Sequence, residues 1–169
     1  MLSSLLLGVG LSAGCGLRVF LPVLALSAAA WLEYVTLSRG FAWLGSSAAL
    51  VAIASCAFLE LAALFVPRAA RILDLAATPA AMVAGTLLTA AVLREASPIE
   101  GLVLPLLLGG GMAGMSQSLA AFRPLAPALA SGYAALLSIF ALLSPLPAGA
   151  LVIAYIAIRW KQVLQAVRN

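Results

Sequence analysis

Residues 2–32 read LSSLLLGVGLSAGCGLRVFLPVLALSAAAWL. This apolar run is longer than the roughly 20 residues that cross a hydrocarbon core of about 30 Å as one helix. Four glycines lie between Gly8 and Gly16, and Arg18 and Pro22 follow them. Because proline removes a helical hydrogen bond and glycine weakens a helix, we expect two helices with a break near Gly14 to Arg18.

The whole chain is as apolar as this run. It has 169 residues, of which 65% are hydrophobic and 8% are charged, and its mean hydropathy is +1.20. A soluble domain has about 25% charged residues, so these few charges could not cover a core in water. We therefore predict an all-α, polytopic transmembrane helix bundle with about five to seven membrane segments, two of them broken or re-entrant.

The N-terminal run lacks a basic residue before its apolar part, so we expect it to stay as a membrane segment rather than to be a cleaved signal peptide. Polar and aromatic residues 33–45 suit an interfacial loop. Further along, the pattern predicts a helix over 46–66, an amphipathic connection Arg68–Asp74, a helix Pro79–Leu93 capped by Thr78, and helices over 101–118, 125–143 and about 147–160. Arg68, Arg71 and the basic C-terminal tail favour a cytoplasmic C-terminus, and we expect a multi-pass protein of the cell inner membrane.

The two halves of the chain repeat one pattern. At an offset of 102, Gly8, Ser12, Gly16, Phe20 and Pro22 align with Gly110, Gly114, Ser118, Phe122 and Pro124. We therefore predict one transmembrane domain over 1–169, with repeat 1 at about 1–67, a linker helix at about 78–95 and repeat 2 at about 100–167. This three-one-three plan resembles that of the SWEET sugar transporters as a fold-level analogy.

The repeated pattern has two interpretations. Small residues at a spacing of four form a ridge that lets helices pack closely in lipid, and such packing is by itself sufficient to explain the repeated pattern. Alternatively, helices broken at equivalent points open backbone groups toward a central cavity, as in transporters built from repeats. The candidate helix-break and packing residues are Gly14, Gly16, Pro22, Gly114, Ser118 and Pro124.

Two charges interrupt the apolar segments. Arg18 and Glu60 have no opposite charge four residues away, and an uncompensated charge at mid-membrane costs about 2.5–3.5 kcal/mol. We expect them to pair with each other, to meet other polar groups or to face water. Alternatively, Arg18 reaches the interface from a short re-entrant piece and Glu60 binds an interfacial basic residue. The candidate pathway or ligand-binding residues are Arg18, Glu60, Arg123, Asp74, Gln117 and Ser116.

Composition narrows the function classes. The chain has no histidine, and Cys15 and Cys56 lie in apolar runs, so we expect no catalytic residue, no metal and no cofactor. Arginines near helix breaks favour an oxyanion ligand. The leading hypothesis is a small transporter or channel for an anionic solute, a lipid headgroup or a coupled ion. The alternatives are a non-catalytic scaffold subunit and, third, a lipid-modifying enzyme. Membrane lipids and a homo-oligomer such as a dimer are the expected partners, and nucleic acid is not.

The residues Gly16-Leu17-Arg18-Val19-Phe20-Leu21-Pro22 carry a resemblance, together with Glu60, Pro67, Asp74 and the stretch from Thr78 to Gly85. In these positions the chain resembles a bacterial family of small integral membrane proteins known only as a domain of unknown function. The resemblance covers about residues 1–100 closely and the remainder loosely. It implies a helical membrane fold and implies no substrate.

Overall fold

The computed structural model describes residues 2–65, 67–93, 100–122 and 127–143, with single positions at 157 and 160. Side chains are described throughout these ranges except at 2–3, 64, 67–75, 100, 120–122, 127–131 and 140. All regular elements in this part of the chain are helical. The all-α prediction is therefore confirmed for the described residues.

Seven α-helices follow one another along the described chain. They are α1 (Leu2–Cys15), α2 (Phe20–Trp31), α3 (Ser47–Ala62), α4 (Pro67–Val92), α5 (Glu100–Leu104), α6 (Gly111–Phe122) and α7 (Pro127–Leu143). A 3₁₀ helix (Arg39–Gly45) precedes α3, a 3₁₀ turn (Ala63–Phe65) follows it, and a π-helical segment (Pro105–Gly110) joins α5 to α6.

One helical run, Gly101–Leu119, is long and apolar enough to cross a membrane. The 3₁₀ helix Arg39–Gly45 and α3 also pass this test as a pair, although they are bent by 69° at the break between them. Four further apolar helices in the described residues have 10–17 residues each, fewer than a straight crossing needs.

The break predicted near Gly14 to Arg18 lies between α1 and α2. The amide groups of Leu17 and Arg18 both donate to the Gly14 carbonyl at 3.0 Å, which closes the last turn of α1. Pro22 has no N–H to donate to the carbonyl of Arg18, so the helix cannot run through this point unchanged. The chain turns here, and α2 begins at Phe20.

The prediction that a helix begins at Pro79 is wrong. Helix α4 runs without interruption from Pro67 to Val92 and contains Pro79 in its interior, so Arg68–Asp74 forms its first turns rather than a connection. The preceding residues favour helix, and the proline removes only the hydrogen bond to the carbonyl of Leu75. A proline that resembles a helix start can thus lie inside a long helix.

Other predicted boundaries moved by a few residues. The hydroxyl of Ser46 accepts a hydrogen bond from the amide of Ala49 at 3.2 Å, and this cap begins α3 at Ser47. The predicted interfacial loop ends in the 3₁₀ helix, whose Leu44 carbonyl accepts from the buried hydroxyl of Ser27 at 2.6 Å. The last predicted helix, about 147–160, lies outside the described residues apart from positions 157 and 160.

Helix α4 packs against α1 through small residues. Gly8 of α1 lies against Thr89 of α4, where an added Cβ would be 2.9 Å from the threonine methyl group. One turn along, the buried hydroxyl of Ser12 is 2.9 Å from both the Gly85 carbonyl and the Thr89 hydroxyl. Close backbone approach and an interhelical hydrogen bond therefore occur at one crossing.

The same two residues of α4, Gly85 and Thr89, also meet the π-helical segment at a second close crossing. A Cβ added to Gly109 would overlap the Gly85 carbonyl oxygen and the Thr89 hydroxyl, and one added to Gly85 would lie 2.6 Å from the Gly109 carbonyl oxygen. Neither glycine has room for a side chain. Gly85 and Thr89 of α4 therefore contact both α1 and the segment Pro105–Gly110.

We expect Gly109→Ala to lower the free energy of unfolding by about 1–3 kcal/mol, because the new methyl group forces the two helices apart. Gly111→Ala is the matched control, since nothing lies within 4 Å of a Cβ at that helical position. Its stability should be unchanged or higher by up to about 1 kcal/mol. Thermal unfolding of the detergent-solubilised protein, followed by circular dichroism, measures both. Equal stability of the two variants would contradict the close crossing.

Candidate functional site

The carboxylate of Glu60 lies at the break between α1 and α2. Glu60 is in the last turn of α3 and its side chain is buried, with 7% of its surface exposed. The amide of Val19 donates to Oε1 at 2.9 Å, and the amide of Phe20 donates to Oε2 at 3.0 Å. Both carboxylate oxygens thus bind the open N-terminus of α2.

This arrangement satisfies groups that would otherwise be costly to bury. The first amides of a helix have no partner within the helix, and they carry the positive end of its dipole. Glu60 takes two of these amides, and Pro22 has no amide to satisfy. Hydrogen bonds to a carboxylate are shorter and roughly twice as strong as neutral ones, so they offset part of the cost of burying the charge. The sequence left open whether Glu60 would meet Arg18, other polar groups, water or an interfacial basic residue. In the structure it binds polar groups of the backbone.

A cavity of about 200 Å³ opens beside the break. Its polar lining comes from Arg18, Glu60 and Gln117, three of the residues selected from the sequence. The remaining walls are Cys15, Leu17, Val19, Phe20, Ala76, Ala77 and Ala80. Because a water molecule takes about 30 Å³ in the liquid, this space is large enough for a small ionic group.

An apolar groove of about 620 Å³ adjoins this cavity. The two spaces share Val19, Phe20, Ala76 and Ala80 in their walls. From these residues the groove extends over α2, between α3 and α4, to the 3₁₀ helix; its further walls are Val23, Phe41, Trp43, Leu44, Ile53, Pro79, Val83, Ala84, Leu87 and Leu88. Its volume is within the range of about 300–1,000 Å³ that is typical of small-molecule sites.

Ser116, another predicted pathway residue, takes part in helix packing. It is fully buried, and its hydroxyl is 3.0 Å from the carbonyls of Ala13 in α1 and Ala113 in α6. A Cβ added to Gly16 would overlap the Ser116 hydroxyl, so Gly16 is the residue that allows α1 and α6 to meet here. Ser116 is not among the lining residues of the cavity or the groove.

The other helix-break and packing candidates have varied surroundings. A Cβ at Gly14 would be 3.0 Å from the ring of Pro22, which is buried, and one at Gly114 would be 3.1 Å from Met82. Ser118 is exposed and donates to the Gly114 carbonyl at 2.8 Å. Gly14 and Gly114 thus lie at contacts between helices, whereas Ser118 bonds within α6, and none of them lines the cavity.

Three candidates lie wholly or partly outside the described residues. Arg123 and Pro124 are outside them, and Asp74 belongs to α4 but its side chain is outside them. Within the described part of the chain, no group of three or more His, Cys, Asp or Glu residues is placed to hold a metal ion.

Sequence reasoning missed two features of the site. The first is the wall of small residues on α4, Ala76, Ala77 and Ala80, which makes room for both the cavity and the groove. The second is the contribution of Trp43, which the sequence suggested only as an interfacial aromatic residue. The alanine-rich stretch around Pro79 was a usable signal for the first, because small side chains leave space between helices.

We expect Glu60→Ala to lower the free energy of unfolding by about 1–3 kcal/mol, because it leaves two partly buried amides without their acceptors. Hydrogen exchange at the Val19 and Phe20 amides should become faster. Glu60→Gln retains one acceptor oxygen and should lie between the wild type and Glu60→Ala. The matched control is Glu33→Gln at an exposed position, with a change within about 0.5 kcal/mol. Unchanged exchange at both amides in Glu60→Ala would refute the capping role.

Comparisons with known proteins agree with a family of unknown function. A family model described as a domain of unknown function, DUF4126, matches residues 5–163. No curated protein and no solved structure matches the chain. Since the match covers nearly the whole length, the chain belongs to the DUF4126 family.

Proposed function

We propose that this protein is a small multi-pass membrane transporter of the cell inner membrane, which binds an anionic group of its substrate in the cavity beside the α1–α2 break. The observation that carries the proposal is the cavity itself. Arg18, Glu60 and Gln117 are among its lining residues, at a point where a helix is interrupted. Interrupted helices that line a cavity are a recurrent feature of transporter binding sites.

The outer surface supports a membrane environment. Phe58 on α3 is 72% exposed and Leu107 in the π-helical segment is 65% exposed. Further large apolar side chains are exposed on the same elements and on α7, among them Val51, Leu59, Leu106, Leu136 and Ile139. Apolar surface distributed over several helices is costly in water and favourable against lipid.

The chemistry of the cavity favours an oxyanion. A guanidinium has five N–H donors in a planar fork, which suits a phosphate or a carboxylate. Gln117 adds a neutral amide with two further donors. The Glu60 carboxylate already accepts from two backbone amides, so its negative charge is partly balanced before a substrate arrives.

The small size of the chain favours an oligomer. A chain of 169 residues leaves limited space for a closed pathway, and a homodimer would double the wall that is available. The internal repeat belongs to the same proposal, since the aligned ridges Gly8-Ser12 and Gly110-Gly114 both face α4 in the described structure. Two such halves around α4 are consistent with a pathway built from repeated helix breaks.

We expect the purified protein in proteoliposomes to support uptake of radiolabelled inorganic phosphate or transbilayer movement of fluorescent phosphatidylglycerol. Arg18→Gln should reduce the supported flux about tenfold or more, because it removes the charged donor from the cavity. Arg39→Gln is the matched control, since Arg39 is exposed on the 3₁₀ helix and should leave flux within about twofold of the wild type.

The same experiment separates the proposal from its alternatives. Size-exclusion chromatography of each variant verifies that it is folded before its flux is compared. Absence of protein-dependent flux for both probes would overturn the transporter proposal, and co-purification of a stoichiometric protein partner from native membranes would then favour a scaffold. Equal loss of flux in Arg18→Gln and Arg39→Gln would overturn the role of the cavity.

A further inference from the structure

We infer that the substrate is an amphiphile, with an oxyanion headgroup in the cavity at Arg18 and an acyl chain in the adjoining apolar groove. This inference rests on the proposed function and names its substrate class. It covers a phosphate or a carboxylate headgroup, since the guanidinium pairs with either.

The cavity and the groove have four wall residues in common. Val19, Phe20, Ala76 and Ala80 line both the cavity and the groove, so the polar and apolar compartments meet at these residues. A free inorganic anion would occupy only the cavity and leave the apolar groove unexplained. A molecule with a charged end and an apolar end fits both compartments in their observed order.

The length of the groove is suited to an acyl chain. Along α4 the groove extends from Ala76 to Leu88, twelve residues, which is about 18 Å at a rise of 1.5 Å per residue. One leaflet of a hydrocarbon core of about 30 Å is about 15 Å thick. The groove therefore has the length of an acyl chain that spans a single leaflet.

The position of the cavity along α3 indicates in which half of the bilayer the headgroup would lie. The aromatic residues Phe41 and Trp43 line the groove at the end where α3 begins, and Glu60 lies thirteen residues after Ser47, about 20 Å along the helix. Aromatic residues of this kind favour the membrane interface, so the cavity belongs to the opposite half of the bilayer. The basic residues Arg68 and Arg71 follow Glu60 in the sequence, which makes this half the cytoplasmic one.

An amphiphile of the cytoplasmic leaflet therefore has the right polarity for the site. Its headgroup would lie toward the basic side of the protein and its chain would extend toward the aromatic end of the groove. Ala76 and Ala80 belong to the walls of both compartments, and their small side chains would let an acyl chain pass from one to the other. A bulky residue at this passage should exclude the ligand while leaving the headgroup chemistry in place.

The test uses Trp43 as a reporter, in the full-length chain with Trp31→Phe and Trp160→Phe, in an uncharged detergent. A brominated fatty acid quenches tryptophan by contact, so we expect saturable quenching that oleate and 1-oleoyl lysophosphatidic acid both compete away. The one that competes at the lower concentration indicates the source, a free fatty acid for oleate or a phospholipid for the lysophospholipid. Neutral mono-oleoylglycerol should compete about tenfold more weakly, and inorganic phosphate should not compete. Arg18→Gln should remove the preference for charged headgroups over the neutral one.

Two matched controls sharpen the result. Ala80→Phe, at the passage, should weaken quenching about tenfold, whereas Ala52→Phe, at an exposed position of α3 outside the groove, should change it less than about twofold. A chain that keeps Trp31 and lacks the other two tryptophans should show only unsaturable quenching. If Ala80→Phe does not fold, the competition series with the Trp43 reporter still decides the question.

The outcomes separate this inference from the transporter proposal. Saturable, headgroup-dependent quenching without any flux would support amphiphile binding and overturn transport. Phosphate flux without saturable quenching of Trp43 would support transport and overturn the amphiphile. Quenching at Trp43 that oleate and the lysophospholipid do not compete away, or that is equal for charged and neutral headgroups, would also overturn it.

Discussion

The hydrogen bonds from the Val19 and Phe20 amides to Glu60 are the interaction on which the arrangement of the first three helices depends. They join the last turn of α3 to the first turn of α2, and they give acceptors to the amides of Val19 and Phe20 where α2 begins. Without this carboxylate, a helix break in apolar surroundings would leave polar backbone groups exposed to a medium that cannot satisfy them. The same carboxylate lines the cavity, so the helix cap and the candidate site are one structural unit.

The close crossings of α4 complement this unit. Gly85 is approached by the Ser12 hydroxyl from α1 and by the Gly109 carbonyl from the π-helical segment. Because the helices meet through backbone and small polar groups, a larger side chain at Gly85 or Gly109 would force them apart. Farther along α4, Ala76 and Ala80 are also small, but there the space between helices is open as the cavity and the groove. Small residues therefore serve close packing along one part of α4 and the candidate site along another.

The amphiphile that we propose as the ligand depends on two unlike spaces that lie side by side. The cavity alone would fit many small anions, and the groove alone would fit any apolar chain. The two spaces share Val19, Phe20, Ala76 and Ala80 in their walls. Recognition of the proposed ligand would require both an oxyanion near Arg18 and a buried apolar chain, which is more selective than either feature by itself.

The sequence by itself determined the helical class and the break between α1 and α2. It also pointed to Arg18, Glu60 and Gln117 as candidate binding residues, which the structure places in the wall of one cavity. Each follows from local chemistry: apolar length, a proline without an amide, and polar groups in apolar segments. Only the tertiary structure decided that Pro79 lies inside α4, because the helix-favouring residues before it and the packing of Gly85 and Thr89 after it offset one lost hydrogen bond. It also decided that Glu60 binds backbone amides forty residues away, and that Ser116 packs against α1 instead of lining the cavity. Such partners depend on which helices become neighbours, and helix periodicity within a single segment does not encode that choice.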